Sequence, residues 1–132
     1  MEKEKLIEEA FKALENSYSP YSNFPVGAAL LTKDGHVIYG ANIENASYPA
    51  GICAERNAVF SAYAQGFRKE DFTALAIVGN GKTIAGPCGV CRQALYELLD
   101  SRMPIYLSNG AETVETTMAE LLPMPFCPEN LE

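Results

Sequence analysis

The chain has 132 residues, of which 48% are hydrophobic, and its 10 Lys+Arg against 17 Asp+Glu give a net charge of −7. This length predicts one domain, 1–132, and the apolar content is too high for a disordered chain. The longest apolar run, 26–31, is far shorter than the roughly 18 residues of a membrane span, so a membrane-spanning helix is excluded. The basic residues are scattered along the chain, which argues against a nucleic-acid partner.

The N-terminal part of the chain predicts a helix followed by a β-hairpin. One helical face collects the apolar residues Leu6, Ile7, Ala10, Phe11 and Leu14. The helix should end near Asn16, and its acidic start lacks the apolar core of a secretory signal, so we expect a cytoplasmic protein. Strands are predicted at Val26–Thr32 and Val37–Glu44, with a tight turn at Lys33-Asp34-Gly35 between them and a loop at Asn45–Gly51 after them.

The remaining sequence alternates helices and strands. The predicted elements are a helix at Cys53–Gln65, a strand at Thr73–Val78, a helix at Gly89–Leu99, a strand at Pro104–Leu107, a strand at Thr113–Thr116 and a helical turn at Thr117–Leu122. Asn109-Gly110 favours a type I′ turn between the last two strands. This order predicts a layered α/β domain with a mixed sheet.

The four cysteines raise the question of metal binding or redox chemistry. Cys88 and Cys91 form a C-x-x-C pair, which alone is compatible with a redox pair, a structural zinc site or a catalytic one. A redox pair would leave Cys53 unexplained, and a structural zinc site needs a fourth ligand, for which the candidates are Cys127 and His36. We interpret Cys127 as a small buried hydrophobe and His36 as a solvated residue at the hairpin turn.

The positions of the three cysteines other than Cys127 favour a catalytic zinc site with one open coordination position. Cys53, Cys88 and Cys91 lie at the starts of two helices that should pack side by side on one face of the sheet. Three thiolates suit Zn²⁺ and leave one position free for water, with Glu55 standing beside it. Arg56 is expected to donate hydrogen bonds to the thiolate of Cys88 or Cys91 and to offset their charge, as the helix N-termini also do.

These motifs resemble the cytidine deaminase family in its short, all-cysteine form. The sequence C-A-E-R at 53–56 and P-C-x-x-C-R-Q at 87–93 carry the resemblance, and a non-ligand Glu beside clustered cysteines is the known signature of zinc deaminases. The segments 21–28, Asn42–Asn45 and Phe126–Leu131 are similar to the family as well. The resemblance implies a three-layer α/β/α fold with a mixed five-stranded sheet.

The resemblance also implies an activity, which is the hydrolytic deamination of cytidine and deoxycytidine in pyrimidine salvage. One Zn²⁺ per chain would be held by Cys53, Cys88 and Cys91, with Glu55 as the catalytic proton carrier. The implied substrate contacts are the base packing of Phe24, the ribose contacts of Asn42 and Glu44, the backbone of Ala54, and Phe126 reaching into a neighbouring subunit of a homotetramer.

Three alternatives to that activity remain open from the sequence. They are deamination of a modified cytosine nucleoside, deamination of a polynucleotide, and a non-catalytic zinc-stabilised binding module. The net charge and the pair Asn42 and Glu44 disfavour the polynucleotide. The segment Pro49-Ala50-Gly51 before the first zinc helix, and the residues around Phe126, depart from the family pattern and leave the pocket rim undefined.

Overall fold

The chain, described over residues 1–132 in a computed structural model, forms a five-stranded sheet with helices on both faces. The helices are α1 (Lys3–Leu14), α2 (Ala54–Ala64), α3 (Gly89–Leu98) and α4 (Met118–Leu121). The strands are β1 (Val26–Thr32), β2 (Val37–Ala41), β3 (Phe72–Gly79), β4 (Ile105–Ser108) and β5 (Thr113–Thr116). Short 3-10 turns lie at Tyr48–Ala50, Lys69–Asp71 and Pro128–Leu131. No helix has the length and apolar character that crossing a membrane requires.

The strand order is β2-β1-β3-β4-β5. The pair β3 and β4 is parallel, because α3 connects them, and all other neighbouring strands are antiparallel. The mixed sheet predicted from the sequence is therefore confirmed.

Alternate residues of β1 serve two separate apolar layers. Ala29 and Leu31 face α1, and Ala28 and Leu30 face the layer built by α2 and α3. The α1 layer also contains Leu6, Ala10, Ala74, Ala76 and Val78. The larger layer on the other face contains Val59, Leu75, Ile77, Leu95, Leu99, Ile105 and Met118, among others. Both faces of the central strands are thus buried, which explains their nearly continuous apolar sequence.

Helix α2 lies unusually close to β2. A methyl group at Gly40 would overlap the carbonyl oxygen of Ala54 and lie 2.9 Å from the Cβ of Ala58. Only glycine allows this approach. The contact fixes the first turn of α2 against the sheet. Cys53 and Glu55, two of the predicted site residues, lie at this end of the helix.

Strand β2 is shorter than the Val37–Glu44 predicted from the sequence. After Ala41 the chain leaves β1, and Ile43 instead forms isolated bridges with Tyr18 and Ile52. The amide of Ile43 donates to Ile52 at 3.0 Å, and the amide of Ile52 returns a bond at 2.9 Å. Asn42 therefore lies at a junction of three chain segments rather than within the ladder.

The turn between β4 and β5 is not the predicted type I′ turn. Pairing ends at Ser108 and Thr113, so the connection spans 109–112 rather than two residues. Gly110 has a φ of +92°, whereas Asn109 does not enter the left-handed region that a type I′ turn requires. The Asn109 side chain accepts from the amides of Ala111 and Glu112 and closes the loop. The other predicted element boundaries differ from the structure by at most about two residues, as is usual for helix and strand ends.

Candidate active site

The three nominated cysteines converge where the N-termini of α2 and α3 meet. Cys53 is the N-cap of α2, Cys88 is the N-cap of α3, and Cys91 is buried in the first turn of α3. Their sulfur atoms lie within 4.8 Å of one another, and the Sγ atoms of Cys53 and Cys88 are 3.9 Å apart. The predicted meeting of the two helix N-termini is therefore confirmed.

This sulfur cluster fits zinc. Zn–S bonds of about 2.3 Å in tetrahedral geometry separate two ligand sulfurs by roughly 3.8 Å, close to the observed spacing. A hydrogen bond from the Cys91 thiol lowers the pKa of Cys53 to about 5, and the same contact raises the pKa of Cys91. A thiolate is thus available at neutral pH as a metal ligand. Cys127 and His36 are not part of the cluster, so the four-ligand structural site that they would complete is not formed within this chain.

Arg56 lies against the sulfur cluster. Its Nε donates to the Sγ of Cys91 at 3.4 Å, and its Nη2 donates to the Sγ of Cys53 at 3.7 Å. The contact with Cys91 was predicted; the second contact is with Cys53 rather than Cys88. A guanidinium at this place offsets the negative charge of the thiolates, as do the partial positive charges of the two helix N-termini.

Glu55 occupies the first turn of α2 and is buried, with 5% of its surface exposed. Burial raises the pKa of its carboxyl above the ordinary value, and the negative charge of Cys53 raises it further. A carboxyl group in this setting can hold a proton and release it, which is the property of a general acid or base.

One cavity of about 250 Å³ brings most of the nominated residues together. Its walls include Phe24, Asn42, Glu44, Cys53, Ala54, Glu55 and Cys88, all of which the sequence nominated, and also Ser22, Val26, Ile77, Ala85 and Gly86. Phe24 forms part of the wall by packing over the backbone of two glycines: its ring atoms lie 3.2 Å from the Cβ positions that Gly79 and Gly81 lack. The cavity is mostly apolar, and its polar lining comes from Ser22, Asn42, Glu44, Glu55 and the two cysteines.

The Asn42 side chain organises the cavity wall. Its Nδ2 donates to the carbonyl of Phe24 at 2.9 Å, and its Oδ1 accepts from the amide of Val26 at 2.9 Å. The hydroxyl of Ser17 also donates to this oxygen. These bonds hold the Phe24 segment against the end of β2, a structural role that the sequence did not predict.

Glu44 caps the turn that precedes Phe24. Its carboxylate accepts from the amides of Tyr21 and Ser22, each at 3.0 Å, and from the Ser22 hydroxyl. The Ser22 hydroxyl and these amides lower the pKa of Glu44, so it is ionised at neutral pH. Ser22 was missed by the sequence analysis, although its position next to Tyr21 within the resembling segment was a signal.

The segment 49–51, which interrupted the family pattern, shapes a second cavity beside the first. Pro49 and Ala50 belong to a 3-10 turn, and the missing Cβ of Gly51 would lie 2.9 Å from the carbonyl oxygen of Ile43. This cavity measures about 360 Å³ and shares Ser22, Asn42, Glu44 and Cys53 with the first. Tyr21 and Tyr48 also line it, with their rings 6.4 Å apart in an edge-to-face arrangement. The two cavities therefore adjoin along these four shared residues, and together they are called the recess.

Four of the side chains considered for the site in the sequence analysis do not line this recess. Cys91 is buried in the first turn of α3, and the other three lie elsewhere in the chain. Phe126 is 60% exposed and does not line the cavity of its own chain. Cys127 is half-buried near the carbonyl of Pro125, so its interpretation as a small buried hydrophobe is only partly confirmed. His36 is exposed at the hairpin and pairs with Asp34 at 2.9 Å, as its position predicted.

Comparison with known proteins agrees with this site. The family model described as the cytidine and deoxycytidylate deaminase zinc-binding region matches residues 1–107. The chain is 49% identical to a cytidine deaminase of Sporosarcina psychrophila over 99% of this chain and 96% of the relative. It is 50% identical to that of Halalkalibacterium halodurans, over 99% and 98%. A solved cytidine deaminase structure from Burkholderia pseudomallei superposes with a TM-score of 0.92 at 47% identity, over 96% of this chain and all of the other. The chain belongs to the cytidine deaminase family.

Proposed function

We propose that this chain is a zinc-dependent enzyme that hydrolyses cytidine and deoxycytidine to uridine and deoxyuridine, with release of ammonia, as a step of pyrimidine salvage. The observation that carries the proposal is that the buried carboxyl of Glu55 shares one cavity wall with Cys53 and Cys88, two of the three clustered cysteines. All four cysteines are free, as expected in a reducing compartment such as the cytoplasm.

Cys53, Cys88 and Cys91 hold one zinc ion per chain. When bound, zinc supplies the Lewis acidity that makes water a nucleophile near neutral pH. Arg56 and the two helix N-termini limit the charge that three thiolates would otherwise place on the site. With this charge offset, the three-thiolate donor set is compatible with the Lewis acidity that the activation of water requires.

Glu55 moves the protons of the reaction. It takes a proton from the water whose oxygen bonds to C4 of the pyrimidine, and it delivers a proton to N3 of the ring. Glu55 then takes the remaining proton from the hydroxyl oxygen on C4 and passes it to the amino group, so that the C4=O bond forms as the C4–N bond breaks and ammonia leaves. Glu55 is buried in the cavity wall and largely shielded from bulk solvent. Its interaction with the charge that develops at N3 is therefore stronger than it would be in water.

Phe24 and Ala54 bind the base. The Phe24 ring is fixed by its contact with the backbone at Gly79 and Gly81, so it offers a rigid apolar face to the pyrimidine. The backbone of Ala54, at the start of α2, binds the carbonyl of the base. A neutral base needs no charged clamp, and the apolar wall suits it.

Asn42 and Glu44 bind the ribose. Asn42 uses one of its two Nδ2 hydrogens on the Phe24 carbonyl, so the second hydrogen remains for a ribose hydroxyl. Glu44 accepts three hydrogen bonds, and a carboxylate has about four acceptor positions, so one remains for a hydroxyl donor. The pair therefore serves as both a structural clamp and a sugar site.

The enzyme assembles as a homotetramer in which Phe126 reaches the site of a neighbouring subunit. Support comes from the exposure of the Phe126 ring and from its position outside the recess of its own chain. In sedimentation-velocity experiments at micromolar concentration we expect a particle of four chains, each of 14.4 kDa. A monomer under these conditions would contradict the assembly.

A substrate panel tests the activity. Zinc-loaded protein is incubated with cytidine, deoxycytidine, cytosine, cytidine monophosphate, a modified cytosine nucleoside and single-stranded DNA, and ammonia release is measured. We expect turnover of cytidine and deoxycytidine and none of DNA, because the protein has a net charge of −7 and its ten basic residues are scattered along the chain. Turnover of the modified nucleoside alone, or of none of these compounds, would overturn the substrate assignment.

X-ray absorption at the zinc edge tests the alternative of a non-catalytic module. Because Cys127 lies outside the sulfur cluster, we expect three sulfur neighbours and one oxygen or nitrogen neighbour. Four sulfur neighbours would indicate a closed structural site and would contradict the enzyme.

A further inference from the structure

The C-terminal segment is held to α3 by the two residues that follow Cys91. The guanidinium of Arg92 donates to the carbonyl of Leu121 at 2.9 Å and to that of Pro87 at 2.7 Å. The amide of Gln93 donates to the carbonyl of Phe126 at 2.7 Å and accepts from the Phe126 amide at 3.3 Å. The same helical turn therefore holds a zinc ligand and both ends of the segment 121–126.

The segment has few other restraints. Residues 123–126 make no hydrogen bond to another backbone group, and Pro123 and Pro125 have no N–H to offer. Met124 is 91% exposed and contributes little burial. Both polar backbone groups of Phe126 are bonded to the Gln93 side chain, so Gln93 sets the position of this residue.

We propose that Gln93 is a positioning residue that fixes where the Phe126 ring stands and thereby contributes to nucleoside binding in the neighbouring subunit. The inference rests on the proposed function, because it takes Phe126 to reach the neighbouring site. A carboxamide is the one side chain of this length that both donates and accepts. Leucine removes both hydrogen bonds, and glutamate replaces the donor with an acceptor that faces the Phe126 carbonyl.

The test compares Gln93→Leu with Gln65→Leu. Gln65 is exposed at the end of α2 and its side chain bonds only to Ser61, so its substitution controls for the general effect of the change. For Gln93→Leu we expect KM for cytidine to rise about tenfold, with kcat, zinc content and Tm close to wild type. A KM within about twofold of the Gln65→Leu value would overturn the proposal.

A double-mutant cycle with Phe126→Ala separates positioning from a merely structural effect. If Gln93 acts through Phe126, the double variant should have nearly the same KM as Phe126→Ala alone. Multiplied effects of the two substitutions would show that Gln93 acts elsewhere and would contradict the proposal.

A readout independent of activity distinguishes this proposal from the proposed function. Hydrogen exchange of the Phe126 amide should accelerate in Gln93→Leu and stay unchanged in Gln65→Leu, because only the first loses the acceptor. Unchanged exchange in Gln93→Leu would overturn the positioning role. If the Phe126 amide of the wild-type protein exchanges slowly but the protein deaminates no nucleoside, the proposed function is overturned while the contact between Gln93 and Phe126 is supported.

Discussion

The guanidinium of Arg56 donates to the sulfur of Cys91 at 3.4 Å, while Cys53, three residues before Arg56, accepts from the same group at 3.7 Å. One side chain therefore joins the two helices that supply the sulfur cluster. Because the first turn of α2 carries both Arg56 and Glu55, the charge balance of the cluster and the position of the acid depend on one turn of helix.

Arg56→Gln should weaken zinc binding. The substitution removes the positive charge that stabilises the thiolates, and partners of this kind affect metal affinity by about 10–100-fold. Competition with a chromophoric chelator measures the affinity, and Arg102→Gln, at an exposed position, is the control. Equal zinc affinity in the Arg56 and Arg102 variants would show that the guanidinium does not stabilise the bound metal.

Asn42→Ala should destabilise the fold as well as impair ribose binding. It removes the hydrogen bonds with Phe24, Val26 and Ser17 that hold the cavity wall, so we expect a loss of about 2–3 kcal/mol in the free energy of unfolding. Urea denaturation measures it, with Asn80→Ala in an exposed loop as the control. A large rise in KM with unchanged stability would mean that Asn42 contributes only to the substrate.

These roles mark the limit of prediction from the sequence. The cysteines and Glu55 were predictable because their places at helix starts follow from local patterns. The bonds of Asn42 to Phe24 and Val26, and the bonds of Gln93 to Phe126, join residues far apart in the chain, and only the folded sheet brings them together.

Two local predictions were wrong, for different reasons. β2 ends at Ala41 because Ile43 pairs with Tyr18 and Ile52, which are loop residues with no strand pattern of their own. The Asn109-Gly110 turn widened because pairing between β4 and β5 ends at Ser108 and Thr113. Long-range pairing therefore decided the end of β2, whereas the local bonds of the Asn109 side chain to the amides of Ala111 and Glu112 decided the shape of the turn.

Gly40→Ala should prevent the close packing of α2 on β2. The added methyl group would overlap the Ala54 carbonyl, which belongs to backbone and cannot move away by rotation. We expect a loss of about 3 kcal/mol in stability, and reduced zinc content because the first turn of α2 is displaced. Chemical denaturation and metal analysis measure the two effects. Wild-type values for both would contradict the packing described for this helix.

Tyr39→Phe should reduce stability in a pH-dependent way. The Tyr39 hydroxyl donates to Glu9 at 2.8 Å and lowers the pKa of that carboxyl, while the same contact raises the pKa of Tyr39. The stabilisation from Glu9 is present above the ordinary Glu pKa of about 4.3 and is lost as the pH falls through the lowered value. The stabilisation from Tyr39 is present below its ordinary pKa of about 10 and is lost at higher pH.

Unfolding experiments at several pH values measure this effect. The difference between wild type and Tyr39→Phe should be largest near neutrality and should shrink in acid. Tyr106→Phe is the control, because burial rather than a hydrogen bond raises the pKa of Tyr106. A difference that is the same at all pH values would show that the hydroxyl does not interact with ionised Glu9.

We propose that Glu55 moves the protons of cytidine hydrolysis beside the zinc cluster. The most direct test is the rate of uridine formation by Glu55→Gln, compared with wild type and with Glu115→Gln on the exposed face of β5, all at equal zinc content. We expect Glu55→Gln to retain zinc and fold but to lose activity by at least about a hundredfold, and Glu115→Gln to keep wild-type activity. Turnover by Glu55→Gln close to that of wild type would contradict the account.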